Sequence, residues 1–207
     1  MDVAGLAVES VSVRPLGDPG APERAWLRLA LPASTRPGEY RGTIRVGGRE
    51  EKVVLDVEPR TRLRLSPRRQ LLRGRAGERV DATVLVANLG NTDCVLPDVS
   101  AVGLFDVEGA ERAIGRTFRS SDTDGGRILE RLAEELEAGY GGLARVAVTA
   151  EAGELGPGEA RELAVTFHLP DALRSDRVYE GAWSLPSVNY MVRVEVTGGK
   201  SSRKEAK

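Results

Sequence analysis

A chain of 207 residues, 41% of them apolar, is long enough to bury a core and to hold one large or two small domains. Its 30 Lys and Arg nearly balance 31 Asp and Glu, so no net field draws the whole surface toward nucleic acid, an anionic membrane or a cationic partner. The single Cys94 excludes an intrachain disulfide, and no segment reaches the roughly 20 apolar residues of a membrane-spanning helix.

The first residues, MDVAGLAVESVSV, lack the basic region and continuous apolar core of a signal peptide. The chain as written is therefore expected in the cytoplasm, with an extracellular or surface location as the alternative if an upstream segment has been removed. Residues 5–13 alternate partially and predict a short strand. Residues 16–22, LGDPGAP, predict a loop. Ala25, Leu27, Leu29 and Leu31 then alternate with Trp26, Arg28 and Ala30, the period of a half-buried strand. Pro32 ends it, Pro37-Gly38-Glu39 supplies a turn, and residues 40–46 and 51–57 form two strands around the hairpin signal Gly47-Gly48.

Residues 59–61 read as a linker, and a second unit opens with Leu63 and Leu65. Residues 79–88 place Val80, Ala82, Val84 and Val86 on one face. The turn Leu89-Gly90-Asn91 leads to a further strand through Val95, Leu96 and Val99. Strands at this spacing argue for a sandwich rather than a parallel sheet with crossovers. The exception follows Gly125-Gly126, where Ile128, Leu129, Leu132, Ala133 and Leu136 share one helical face near 126–138. Asp122 or Asp124 is the candidate cap. Residues 143–150 and 163–169 are strands, residues 153–158 a loop, and the polar residues 199–207 a disordered tail.

An internal repeat organises these elements. Leu31 to Val57 and Leu169 to Val196 share a Leu-Pro, a turn-rich gap, Tyr-x-Gly, a strand, a turn and an alternating strand. At a constant offset Tyr40 matches Tyr179, Gly42 matches Gly181, Ile44 matches Trp183, and Val53, Leu55 and Val57 match Val192, Val194 and Val196. With two gaps the match extends over residues 5–57 and 142–196. The second copy is preceded by a long segment that supplies its first strands, and the first copy is not. The first unit therefore reads as half a sandwich, with an apolar face uncovered and an edge unpaired. Burying four Leu- or Val-sized side chains contributes about 6 kcal/mol, at about 1.5 kcal/mol each. The cover is the second domain, another copy, a partner that donates strands, or upstream residues.

The segments VLVANLGNTDCVL and PGEYRGTIRV resemble, respectively, the strand, Asn-x-Gly turn and strand of bacterial Ig-like modules of the CARDB type, and the strand that closes many bacterial Ig-like and fibronectin-like domains. The resemblance implies Ig-like β-sandwich modules, and the residues read as an all-β chain of two such units in tandem: residues 1–59 incomplete, residues 60–198 with an inserted amphipathic helix, both departures from the family's pattern, then the tail. It also implies core or corner roles for Tyr40 and Tyr179, and a non-catalytic spacer or interaction role.

The residues offer little reactive chemistry. The one histidine, His168, faces away from the set Val165, Phe167 and Leu169, and no Ser or Cys sits in an activating elbow beside it. No phosphate loop and no Cys/His zinc set is present. The acidic turn with Asp122 and Asp124 lacks the spacing of a calcium loop and reads as a capped helix start. Cys94 reads as a buried structural thiol. No catalytic residue, cofactor or metal is assigned. The expected function is a structural or protein-interaction module assembling through its open sheet, with a protein partner or a second copy, without nucleic acid and without membrane insertion. Trp26, Leu29 and Leu55 are the candidate interface residues, Trp26 being equally suited to packing against the second domain. The alternative is an accessory ligand- or carbohydrate-binding domain using Asp122 and Asp124, near Phe118 and Tyr140.

Overall fold

The computed structural model of the chain describes residues 2–3, 10–16, 24–46, 49–119 and 124–198. The hairpin turn Gly47-Gly48, Asp122, most of the loop predicted over 16–22 and the tail 199–207 lie outside the described residues. The chain is mostly β. In order, the strands are β1 (Asp2–Val3), β2 (Ser10–Leu16), β3 (Arg24–Ala30), β4 (Gly38–Val46), β5 (Arg49–Val57), β6 (Leu63–Ser66), β7 (Arg69–Gly74), β8 (Arg79–Asn88), β9 (Cys94–Leu96) and β10 (Val99–Asp106). Helices α1 (Gly109–Phe118) and α2 (Gly125–Glu137) follow. The chain then forms β11 (Tyr140–Ala150), β12 (Gly153–Leu155), β13 (Ala160–His168), β14 (Val178–Leu185) and β15 (Val188–Val196). Two compact units result: Met1–Leu63 with Ala87–Cys94 and Leu155–Ala160, and the remainder.

The second unit is built on a ladder of order β6-β8-β13-β11-β10-β14-β15-β7. Strand β10 turns its corner. It pairs with β11 along its length, and with β14 through Phe105 and Asp106. Two layers follow, β6-β8-β13-β11 and β10-β14-β15, the strand orders of the two sheets of an immunoglobulin-type sandwich. Ring packing shows that they face each other. Phe167 on β13 and Trp183 on β14 are three strand spacings apart in the ladder, about 14 Å if the sheet were flat. Their ring centroids lie 6.1 Å apart, edge to face. Val84, Val86, Val102, Leu104, Val146 and Val165 fill the same interior, each set apart along its strand by the period of two that alternation imposes.

Several local expectations change. Pro97-Asp98 divides the strand expected through Val95 to Val99 into β9 and β10. Residues 153–155, expected in a loop, form β12, which pairs with β9. Leu16, also expected in a loop, ends β2. The segment expected to hold one helix holds two. Helix α1 buries Gly109, Ala113 and Thr117, small residues that leave no strong apolar stripe in the sequence. Helix α2 has no fully buried residue: Ile128 and Leu132 are half-buried, whereas Leu129 and Leu136 are exposed.

In the first unit β2 and β3 pair antiparallel from Ser10↔Ala30 to Leu16↔Arg24. A separate ladder has the order β1-β4-β5. There β4 and β5 pair from Gly38↔Val57 to Val46↔Arg49, and β1 adds Asp2↔Thr43 and Val3↔Gly42. The segment from Glu58 to Arg60 is held by Asn91, whose amide donates to Glu58 O at 2.9 Å and accepts from Arg60 N at 2.6 Å.

Candidate functional site

The hairpins β4–β5 and β14–β15 carry one register. Tyr40↔Leu55, Gly42↔Val53 and Ile44↔Glu51 stand where Tyr179↔Val194, Gly181↔Val192 and Trp183↔Tyr190 stand in the other. Each begins with a tyrosine hydroxyl bonded to the backbone just upstream. Tyr40 donates to Arg36 O at 2.8 Å, and Tyr179 accepts from Arg174 N at 3.2 Å. A tyrosine hydroxyl bonded in this way is the kind of contact that makes the tyrosine corner of Ig-type sandwiches.

Burial separates the two hairpins. Tyr179, Trp183, Tyr190, Val192 and Val194 are all 2% exposed or less. Tyr40, Ile44, Val53 and Leu55 are only half-buried, and Glu51 occupies the place of Tyr190 and is exposed. Among the described side chains between Arg28 and Arg62, none is buried. The same pattern that closes a core in one unit leaves a partly wetted apolar face in the other.

The strand edges differ too. The outer edge of β15 is filled by β7, running parallel from Met191↔Arg69 to Val196↔Gly74, with Leu72 buried opposite Val194. Beside them Arg73 Nε donates to Glu195 Oε2 at 2.8 Å. Among the described residues, the outer edge of β5 pairs with no strand. Its solvent face carries Glu50, Lys52, Val54 and Asp56, and Val54 is 59% exposed. Glu50 pairs with Arg45 of β4.

The candidate residues fall as follows. Leu29 of β3 pairs with Val11, and Leu55 of β5 pairs with Tyr40; both are half-buried, on ladders that do not join among the described residues. Trp26 pairs with Arg14 in β3, and its side chain lies outside the described residues. Asp124 caps α2: its Oδ1 accepts from Gly126 N at 3.0 Å, and its Oδ2 lies 3.8 Å from Arg127 Nε. Its oxygens serve the helix start, the simpler of the two roles offered for it. Tyr140 packs on Phe105 with centroids 5.2 Å apart and rings tilted by 42°, and Phe118 is exposed at the end of α1.

Sequence reading did not single out the charged cluster of the second unit. Asp106, buried at the end of β10, holds Arg112 of α1 and Arg177 ahead of β14. Nothing in the periodicity marks it, because Arg177 lies far along the chain from Asp106 and Arg112. His168 pairs with Arg145 in the ladder, and its side chain is half-buried. Among the described residues no group of three or more His, Cys, Asp or Glu is placed to hold a metal ion, and no helix is long and apolar enough to cross a membrane.

No family model matches the chain, and neither does any curated protein. Among solved structures it is similar to the ASH / PapD-like domain of human CEP192 (PapD-like domain 7), at 13% identity and a TM-score of 0.34, over 70% of this chain and 94% of that one. It is also similar to a protein of unknown function from Porphyromonas gingivalis W83, at 13% identity and a TM-score of 0.31, over 94% of this chain and 84% of that one. Likenesses at this level carry no functional information.

Proposed function

We propose that the chain is a non-catalytic structural or protein-interaction module of two tandem Ig-like units, the first incomplete, and that the half-buried apolar faces within residues 5–57 and the edge of β5 are its working surface. The observation that carries this reading is the contrast between the two hairpins. They share register, corner tyrosines and apolar positions, yet one is sealed and edge-paired while the other is half-wetted, with an outer edge that pairs with no strand among the described residues. Exposed apolar faces and unpaired edges favour association, and strand addition is a common way of using them. The CARDB-like turn at residues 84–96 supports the same module-like role.

Light scattering of the purified chain across a concentration series tests this. The expected result is a species larger than the 22.2 kDa monomer that falls to monomer in Leu29→Lys or Leu55→Lys while the second unit stays folded. A monomer at every concentration, with no change in either variant's partner capture, would overturn the reading.

A second reading, an accessory carbohydrate-binding domain, is favoured by the exposed Phe105 and Tyr140 rings, a surface on which a sugar could stack. A glycan array without hits, or hits that survive Tyr140→Ala, would remove it.

A further inference from the structure

The pairing of β7 with β15 is a template for what the edge of β5 can accept. Shifted by the repeat offset, the register of β7 places one residue opposite each of Lys52, Val53, Val54, Leu55 and Asp56. Leu72, opposite Val194, maps opposite Leu55. Arg73, which holds Glu195 across the ladder, maps opposite Asp56, so the acidic partner recurs in the first unit. Leu71, exposed on the outer face opposite Arg193, maps opposite the exposed Val54, where the two would make an apolar pair. One position changes from neutral to charged. Arg69 faces Met191 in the second unit, and the same place in the first is Lys52, which repels a basic residue.

We infer that β5 binds an extended segment of a protein partner, running parallel to it, with an acidic residue opposite Lys52, leucines opposite Val54 and Leu55, and a basic residue opposite Asp56. This rests on the reading of the first unit as an open-sheet module, and it specifies the partner. The order of charges matters. A strand copied from β7 of another molecule of this chain would set Arg against Lys52, so the edge selects against self-pairing while keeping the leucine and the Asp56 partner. Charges spaced along β5 also protect the edge from unselective apolar strands. Complementary charge on the incoming strand converts that protection into recognition.

The test uses the full chain and two synthetic peptides, one with the core Glu-Gln-Leu-Leu-Arg-Gly and one with the outer charges exchanged, Arg-Gln-Leu-Leu-Glu-Gly. Binding is followed by titration and by amide hydrogen exchange over residues 50–57. The first peptide is expected to bind roughly tenfold more tightly, from two cross-strand charge pairs that turn repulsive in the other, and to protect β5 amides. The double variant Lys52→Glu/Asp56→Lys, at two exposed sites, is expected to reverse the preference. Binding without preference, or protection outside β5, would overturn the inference. So would absence of binding. If Leu55→Lys then still dissolves assembly or partner capture, the open-sheet reading stands and only the parallel strand is lost; if it does not, both fall.

Discussion

Arg177 Nη1 lies 3.2 Å from Asp106 Oδ2, with the two side chains 4% and 1% exposed. The same nitrogen donates to Ala138 O at 3.0 Å, the residue that closes α2, while Asp106 Oδ2 also takes Arg112 Nη1 of α1 at 2.9 Å. One enclosed carboxylate thus fixes both helices to the end of β10. Removing one partner of a buried pair leaves the other charge uncompensated, which costs about 3–5 kcal/mol. Arg177→Ala and Asp106→Ala are each expected to lower the unfolding free energy by about that much. Arg112, nearer the solvent, should cost clearly less than either. Urea denaturation of the three variants measures this, and equal losses would refute the assignment of Arg177 as the anchor.

Cys94 is 4% exposed in β9, and its burial, with the negative charge of Asp93 alongside, pushes the thiol above its ordinary range. A thiol so placed is a poor nucleophile at neutral pH. In the native chain its reaction with a disulfide reagent is expected to be at least about tenfold slower than in the urea-unfolded chain. Equal rates would show that the β9 segment opens freely.

The sandwich was legible because alternation is a local signal: Val84 and Val86, or Val192 and Val194, declare their inward face within a few residues. The shared register of the hairpins β4–β5 and β14–β15 was legible for the same reason, since Tyr40 and Tyr179 each stand two residues before a glycine. Helix α2 announced itself through five apolar residues at helical spacing, whereas α1 buries only Gly109, Ala113 and Thr117 and gives no such stripe. Strand β7 was equally silent. It turns Gln70, Leu72 and Gly74 inward, one large apolar residue among three, so the strand that fills the edge of β15 emerges only from its pairing with β15. Leu29 and Leu55 were placed on an apolar face by period alone. That this face is half-wetted depends on what packs over it, which no window of sequence contains.

Gly181 marks the closest backbone approach in the second unit. A Cβ there would lie 2.2 Å from Gly103 O and 2.6 Å from Val102 Cγ1, and the carbonyl belongs to a paired strand that cannot retreat. Gly181→Ala is expected to destabilise by at least about 3 kcal/mol, at the upper end of overpacking effects. Gly125, with nothing within 4 Å of its added Cβ at the start of α2, provides the contrast. Gly125→Ala should stabilise by about 0.5–1 kcal/mol through backbone entropy. Thermal melts of both variants decide the matter: a mild Gly181→Ala would mean that β10 and β14 do not approach as closely as described.

Tyr190 gives the fold a dependence on alkaline pH with a definite sign. Its ring is 2% exposed and lies edge-on to Trp183, and its hydroxyl lies 3.4 Å from Gln70 Oε1. Burial pushes its phenol up to about 12, against about 10 for an exposed tyrosine. Below pH 10 both folded and unfolded chains hold the proton, and its contribution to stability is fully present. Between pH 10 and about 12 the unfolded chain releases the proton while the native chain keeps it. The unfolded state then binds fewer protons, so stability falls as pH rises through this window, by about 2–3 kcal/mol in all. Tyr190→Phe is expected to differ from the parent by no more than about 1 kcal/mol at neutral pH, because the hydrogen bond it loses is long. It should also lose less stability than the parent between pH 10 and 12. Urea midpoints measured against pH for both proteins supply the comparison, and parallel curves would mean that the phenol is hydrated in the native state.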